Sequence, residues 1–232
     1  MKRRILIQLL GLVLVASASL SAQDLTITNA RIIAANGSVI ERGWIVVRGG
    51  SIVAVAPGAA SAPSGTVIDA KGMTAMPGFI DAHRHINTGP DEKQQMQALL
   101  EAGYTTILSG GGPADGNITL RDHIDKGLIN GPRIIPSGRV SLTDTPEQAR
   151  AEVRKMAAMG VKFTGEIGLT SFPGPTAKEM EVLRAIVDEA KKAGVLVQVH
   201  AVSVQSTMAA VEAGVPLLVH TTNKNFLTRE NA

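Results

Sequence analysis

The sequence of 232 residues contains no cysteine. A disulfide framework, a thiolate metal ligand and a lipid anchor attached to cysteine are therefore excluded. Any metal ion has to be held by histidine, aspartate, glutamate or a modified lysine. Histidine is scarce as well, with five in the whole chain, so two histidines placed one residue apart require an explanation.

Net charge is nearly absent once the N-terminus is set aside. The chain carries 23 basic and 20 acidic side chains, for a formal net charge of +3. Lys2, Arg3 and Arg4 account for the difference, because residues 1–22 contain no acidic residue. The sequence thus implies no basic face for nucleic acid, and we expect no nucleic-acid partner.

The apolar run at the N-terminus is short for a membrane span. Residues 5–15 are apolar except for Gln8 and Gly11, and they lie between three basic residues and the small residues of "ASASLSAQD". This pattern is typical of a secretory signal peptide over residues 1–22, cleaved after Ala22. We expect a periplasmic or secreted protein with no stable membrane anchor. An uncleaved anchor helix is the alternative.

The remaining chain divides into two regions with different periodicity. Residues 23–75 show short β-branched runs separated by the turn pairs Asn36-Gly37 and Gly49-Gly50, which favour hairpins. From residue 76, strand-like apolar runs alternate with helical patterns. That alternation predicts an α/β domain with a parallel sheet over residues 76–232.

One spacing pattern is more specific than the strand and helix periodicity. Four glycines each follow a helical pattern and precede a strand-like run, at Gly103, Gly160, Gly194 and Gly214. Six positions after each glycine stands a polar residue, in turn Ser109, Glu166, His200 and His220. Because a (β/α)8 barrel carries its chemistry at the carboxyl ends of the strands, we predict that Glu166, His200 and His220 converge. Ser109 is interpreted as an ordinary strand-end residue.

The stretch "AMPGFIDAHRHI" places His83 and His85 at the end of another apolar run. Residues i and i+2 of a strand point to one side, so both imidazoles can reach one ion. Two or three imidazoles and a carboxylate suit Zn²⁺ or a similar divalent ion, and a shared carboxylate such as Glu166 can bridge two ions about 3.5–4 Å apart. His123 lies in a helical pattern and is interpreted as a surface residue.

The segments "PGFIDAHRH", "GLINGPRIIPSGR" and "AGVPLLVH" resemble the amidohydrolase superfamily, and within it the imidazolonepropionase-like and enamidase-like members. The resemblance runs from about residue 24 to the end. It implies a small N-terminal β-sandwich domain over residues 23–75 beside a (β/α)8 TIM-type barrel that holds one or two divalent metal ions. By motif, His83 and His85 match the ligands after the first barrel strand, His200 the ligand after the fifth and His220 the ligand after the sixth. Zn²⁺ is the expected metal, with Fe²⁺, Mn²⁺ and Co²⁺ as alternatives.

The motif match for the ligand after the fourth barrel strand is less direct. Many members use a carboxylated lysine in the pattern G-x-D-x-I-K, whereas this chain reads "GVKFTGEIGL". Lys162 comes too early in the strand, and Glu166 takes the position at its end. We therefore expect Glu166 to be the bridge, as in members similar to enamidase, with Lys162 as the alternative.

The C-terminal part of the family's motif pattern has no counterpart in this sequence. Members place the general base, an aspartate, after an eighth strand, whereas residues 76–232 hold only about six βα units. None of Asp81, Asp115, Asp122 and Asp125 matches that base by motif, so no catalytic residue is assigned. We expect an N-terminal fragment of a longer enzyme. A complete divergent protein that pairs with a second copy, as a homo-oligomer, is the alternative.

These features favour a metal-dependent amidohydrolase that cleaves a non-peptide C–N bond of a small molecule, cyclic amides included, by metal-activated hydroxide. Such a fragment would be inactive or nearly so alone. Lactone hydrolysis and amidine deamination use the same chemistry and stay open, as does a non-catalytic exported protein that binds metal or a ligand. Phosphate binding by "SGGGPADG" is weaker, because no Walker-type lysine follows, and the segment is interpreted as a flexible loop bordering the site. Tyr104 and Arg139 receive no role.

Overall fold

The computed structural model describes residues 24–86 and 88–231. The predicted signal peptide, residues 1–22, lies outside the described residues. The chain separates into two compact units, the first ending at Pro77 and the second beginning at Gly78. In the part of the chain that is described, no helix combines the length and the apolar character that crossing a membrane requires.

The first unit is built on one five-stranded sheet in the order β3-β2-β1-β4, with β5 also paired to β1. Ala30, Ile32 and Ile45 form its buried core. Both predicted hairpins are present, and Gly37, Gly49 and Gly50 have the positive φ angles that such turns require. The second layer of a sandwich stays a prediction. The strands are β1 (Leu25–Ile33), β2 (Val39–Arg48), β3 (Ser51–Pro57), β4 (Thr66–Asp69) and β5 (Thr74–Ala75).

The second unit alternates strands and helices, and all of its strand pairs are parallel. One sheet has the order β6-β7-β8 and the other the order β12-β11-β10-β9. The predicted α/β class is therefore confirmed. The strands are β6 (Phe79–Arg84), β7 (Tyr104–Ser109), β8 (Arg133–Ile135), β9 (Ser137–Gly138), β10 (Phe163–Gly168), β11 (Leu196–His200) and β12 (Leu217–Leu218). The helices are α1 (Glu92–Glu101), α2 (Ala114–Asp125), α3 (Pro146–Ala158), α4 (Ala177–Ala193) and α5 (Val204–Glu212), and a 3-10 turn follows at Arg229–Asn231.

Helix α4 shows how local sequence sets this pattern. Its apolar residues recur at helical spacing, and Val182, Leu183 and Ile186 are fully buried in the main core. Gly194 ends the helix in the left-handed conformation, with φ of 66°. The other three predicted glycines also have positive φ, at Gly103, Gly160 and Gly214.

The strand predictions differ from the structure mainly in β12. The strand-like run after Gly214 was expected to reach His220, but backbone pairing is limited to Leu217–Leu218. Among the described residues β12 has a neighbour on one side only, so fewer hydrogen bonds hold its backbone straight. His220 therefore follows the strand by two residues instead of ending it.

The start of α4 yields a stability prediction. The Glu179 carboxylate accepts hydrogen bonds from the backbone N–H groups of Thr176 and Thr170 and from the Thr170 hydroxyl, completing a capping box with Thr176. Partial burial raises the pKa of Glu179, but the bonds from Thr176 and Thr170 outweigh it and hold that pKa below its ordinary value. We expect Glu179→Gln to lower the free energy of unfolding by about 1 kcal/mol at pH 7.

The sign of the pH dependence follows from the lowered pKa. The stabilisation is complete above the ordinary glutamate pKa and is lost as the pH falls through the folded-state pKa. Urea unfolding at pH 7 and at about pH 4 therefore yields a smaller difference between wild type and Glu179→Gln at the lower pH. Glu181→Gln, an exposed position on the same helix, is the control, and an equal loss there would contradict the capping role.

Candidate metal centre

Four histidines and Glu166 meet at the carboxyl ends of strands in the second unit. Glu166 lies on β10 two residues before the strand ends at Gly168, not at its end as predicted, whereas His200 is the last residue of β11. His83 lies on β6, and His85 follows that strand directly. The predicted convergence is therefore present, although the five residues come from segments up to 137 positions apart.

The Glu166 carboxylate occupies the middle of this cluster. Oε1 of Glu166 lies 2.9 Å from Nε2 of His85. Oε2 lies 3.2 Å from Nε2 of His83, 3.1 Å from Nε2 of His220 and 3.3 Å from Nδ1 of His200. The donor atoms fall into two groups that share Glu166, and within each group they lie within 4.8 Å of one another. The groups are His83, His85 and Glu166, and Glu166, His200 and His220.

The donor set fits one or two divalent metal ions. Imidazole nitrogens and a carboxylate are the ligands that Zn²⁺ and similar ions take. Nδ1 of His83 is buried without a hydrogen-bond partner, and its Nε2, although 3.2 Å from Glu166, forms no hydrogen bond either. Buried polar atoms are normally satisfied, so an unpaired imidazole points to a ligand in that position. The rings of His83 and His220 meet edge to face with centroids 5.2 Å apart.

The charge on Glu166 is favoured by its surroundings. Partial burial is the largest single influence on the pKa of Glu166, and it raises that pKa. The opposing effects are larger in sum and lower the pKa below its ordinary value: the charge of His83, a hydrogen bond from His220, and the charges of His85 and His200. Glu166 is therefore ionised at neutral pH, which is the state a metal ligand requires.

A glycine loop after β7 supports the histidines, a role that the sequence pattern alone does not predict. A Cβ on Gly110 would lie 2.8 Å from Cε1 of His83, so no other residue fits without moving that ring. The Gly110 carbonyl accepts from the backbone N–H of Glu166 at 2.8 Å, and its own N–H donates to Arg84 at 2.8 Å. Asn117, almost fully buried, donates to the Gly111 carbonyl at 2.9 Å. The run of three glycines is the sequence signal that could have indicated this close approach.

Several other predicted residues fall where the sequence placed them. Ser109 is buried and donates to the Gly111 carbonyl at 2.8 Å, so it is structural. Lys162 is exposed and precedes β10, at the end of the strand away from Glu166. Asp81 accepts from the backbone N–H of His83 at 3.1 Å. His123 differs from a simple surface residue, because it is only partly exposed and its Nδ1 lies 3.1 Å from Glu92.

Comparison with known proteins decides the family. A model of the amidohydrolase family matches residues 74–227. The chain belongs to that family. The matched residues include all four histidines of the cluster and Glu166, and they cover about two thirds of the chain.

Three of the similar proteins illustrate how far the similarity extends. The enamidase of Eubacterium barkeri is 29% identical over 181 residues, which are 70% of this chain and 45% of the enamidase. A crystal structure of a Bifidobacterium longum protein, provisionally named a prolidase, superposes with a TM-score of 0.76 at 31% identity and covers 90% of this chain and 56% of that one. Molinate hydrolase superposes with a TM-score of 0.76 over 91% of this chain and 61% of its own, and at 19% identity it shows the fold alone. The chain thus spans roughly half the length of these relatives.

Proposed function

We propose that the protein is a metal-dependent hydrolase that cleaves a non-peptide C–N bond in a small molecule, cyclic amides included. The observation that carries the proposal is the convergence of four imidazoles on one ionised carboxylate. The similarity to an enamidase over 70% of this chain supports C–N chemistry in particular.

In this proposal each group of three donors holds one ion. His83 and His85 would hold the first, His200 and His220 would hold the second, and Glu166 would be shared by both. Zn²⁺ is the proposed metal, because imidazole and carboxylate are its ordinary nitrogen and oxygen ligands. Fe²⁺, Mn²⁺ and Co²⁺ accept the same ligands and are the alternatives.

The groups at the site have different roles in this proposal. Bound divalent metal lowers the pKa of water to about 7 and polarises a carbonyl group. Glu166 contributes a fixed negative charge, since its lowered pKa keeps it ionised at neutral pH. The Gly110 carbonyl, bonded to the Glu166 N–H, holds the backbone of that residue in place. We assign no general base, because neither group of donors contains an aspartate of the described residues.

The proposal extends to the architecture and the location. We propose that β6 to β12 form part of a (β/α)8 barrel and that the first unit is a β-sandwich domain. Residues 1–22 support export to the periplasm or the medium. Lactone hydrolysis and amidine deamination are the alternative reactions of the same site, and metal or ligand binding without turnover is the alternative function.

Removing one histidine from each half tests the two-ion site. In the zinc-loaded full chain we expect about two equivalents of zinc, measured by mass spectrometry after gel filtration. His85→Ala and His220→Ala are each expected to lose one equivalent and to keep the other, because the two histidines belong to different groups. His123→Ala, outside the cluster, is the control.

Turnover is then assayed on small cyclic amides, lactones and amidines with the same samples. Hydrolysis of amides that both histidine variants lose supports the proposal. Zinc binding without turnover favours the non-catalytic function. A wild type that holds no more zinc than a doubly substituted His85→Ala, His220→Ala chain contradicts the metal centre itself.

A further inference from the structure

A cavity of about 370 Å³ opens beside the candidate metal centre. His85 lines it at one side, the glycine loop at Gly111 and Gly112 forms a wall, and Arg139 contributes to it as well. A molecule bound at the histidines therefore has room to extend toward Arg139. None of the described residues that line the cavity is acidic.

Arg139 presents a free cation to this cavity. Its side chain is exposed and forms no hydrogen bond or ion pair with any described residue. Asp115, Asp144 and Glu152 line a neighbouring cavity of about 400 Å³ that Arg139 also borders, yet none of them forms an ion pair with it in the part of the chain that is described. The guanidinium is therefore available to a ligand.

The backbone at Arg139 is held firmly although its side chain is free. The residues on either side, Gly138 and Val140, are buried. A Cβ on Gly138 would lie 3.1 Å from Cβ of Ala114, so the chain is closely packed there. Asn117 donates to the Ser137 carbonyl at 3.0 Å, which anchors β9 to α2. Arg139 is thus carried on a rigid support, which favours specific recognition.

The sheet register places Arg139 at the carboxyl end of the parallel strands, the end that carries the histidines. Gly138 on β9 pairs in parallel with Thr164 on β10, two residues before Glu166. Arg139 therefore leaves the sheet at the carboxyl end, where Glu166 and the histidines lie. In parallel α/β folds this end carries the ligand site.

We propose that Arg139 determines specificity by binding a carboxylate of the substrate while the scissile C–N bond lies at the histidines. This inference rests on the proposed function and adds to it the substrate class, C–N compounds with an anionic group. A guanidinium matches a carboxylate with two parallel hydrogen bonds, which a lysine cannot reproduce. Arg139 is a binding residue here and takes no part in bond cleavage.

Matched hydroxamates test the proposal by calorimetry on the zinc-loaded full chain. Succinic, glutaric and adipic monohydroxamates are compared with the uncharged butano-, pentano- and hexanohydroxamates of equal length. We expect the best carboxylate probe to bind about tenfold tighter than its neutral partner. Arg139→Gln is expected to abolish that preference with zinc content and neutral-probe affinity unchanged, and Arg139→Lys to keep part of it.

A control variant and a measurement without zinc distinguish failure of the Arg139 inference from failure of the proposed metal centre. Arg133→Gln removes an exposed arginine at the start of β8 and is expected to keep the full preference. Equal binding of charged and neutral probes by the wild type, or the same loss in Arg133→Gln, would overturn the inference and leave the metal centre intact. If hydroxamates fail because zinc does not load, the proposed function fails. A saturable succinate-induced shift of the Arg139 Nε–H signal, with no comparable shift of the Arg133 Nε–H signal, then still supports the inference, and no shift at Arg139 overturns it.

Discussion

Replacing Glu166 by alanine is expected to abolish metal binding in both halves of the site. Glu166 is the donor that the two groups share, and all four imidazoles lie within 3.3 Å of its carboxylate oxygens. Without it, two imidazoles remain for each ion, with no carboxylate charge to balance the metal. Affinity is expected to fall by more than the roughly 10- to 100-fold loss that follows removal of an outer-shell partner. Zinc titration against a competing chelator measures the change.

Lys162→Ala is the matched control for this experiment. Many members of the family use a carboxylated lysine as the fourth-strand ligand, and Lys162 is the lysine of this segment. Because it is exposed and precedes β10, we expect its removal to leave zinc affinity within about twofold of the wild type. A large loss in Lys162→Ala with little change in Glu166→Ala would reverse the assignment of the bridge.

Gly165→Val is expected to damage stability and the metal centre together. A Cβ at this buried position would lie 3.0 Å from Cα of Gly111 and 3.5 Å from the Gly110 carbonyl oxygen, so two backbone segments would have to separate. The hydrogen bond from the Glu166 N–H to that oxygen, 2.8 Å long, would be lost with them. Overpacking of this kind costs about 1–3 kcal/mol. Urea unfolding and zinc titration measure the two effects.

Gly168→Val is the control within the same strand. Gly168 is exposed, and no atom lies within 4 Å of the position that a Cβ would take there. Valine is favoured in strands, so we expect unfolding free energy within about 0.5 kcal/mol of the wild type and unchanged zinc binding. Equal losses of unfolding free energy and zinc affinity at both positions would show that the strand tolerates no larger side chain at either one. The loss at Gly165 could then not be assigned to its close approach to the glycine loop.

Much of the second unit could be predicted because local patterns repeat. A glycine with positive φ follows each of these helices, so the residue six positions later falls within two residues of the end of the next strand. This spacing identifies Glu166, His200 and His220 from the sequence alone. His83 and His85 followed from the two-residue period of a strand. Their roles as metal ligands stay a proposal.

The sequence by itself determined the α/β class of the second unit, the hairpins of the first and the five donors of the cluster, because all of these depend on periodicity and turn residues close together in the chain. The tertiary structure alone decided how they combine. The contact of Gly110 with His83, the approach of Gly165 to Gly111 and the free guanidinium of Arg139 beside the site all join segments far apart in sequence. No local pattern encodes such distances, since they arise only when strands and loops pack against each other.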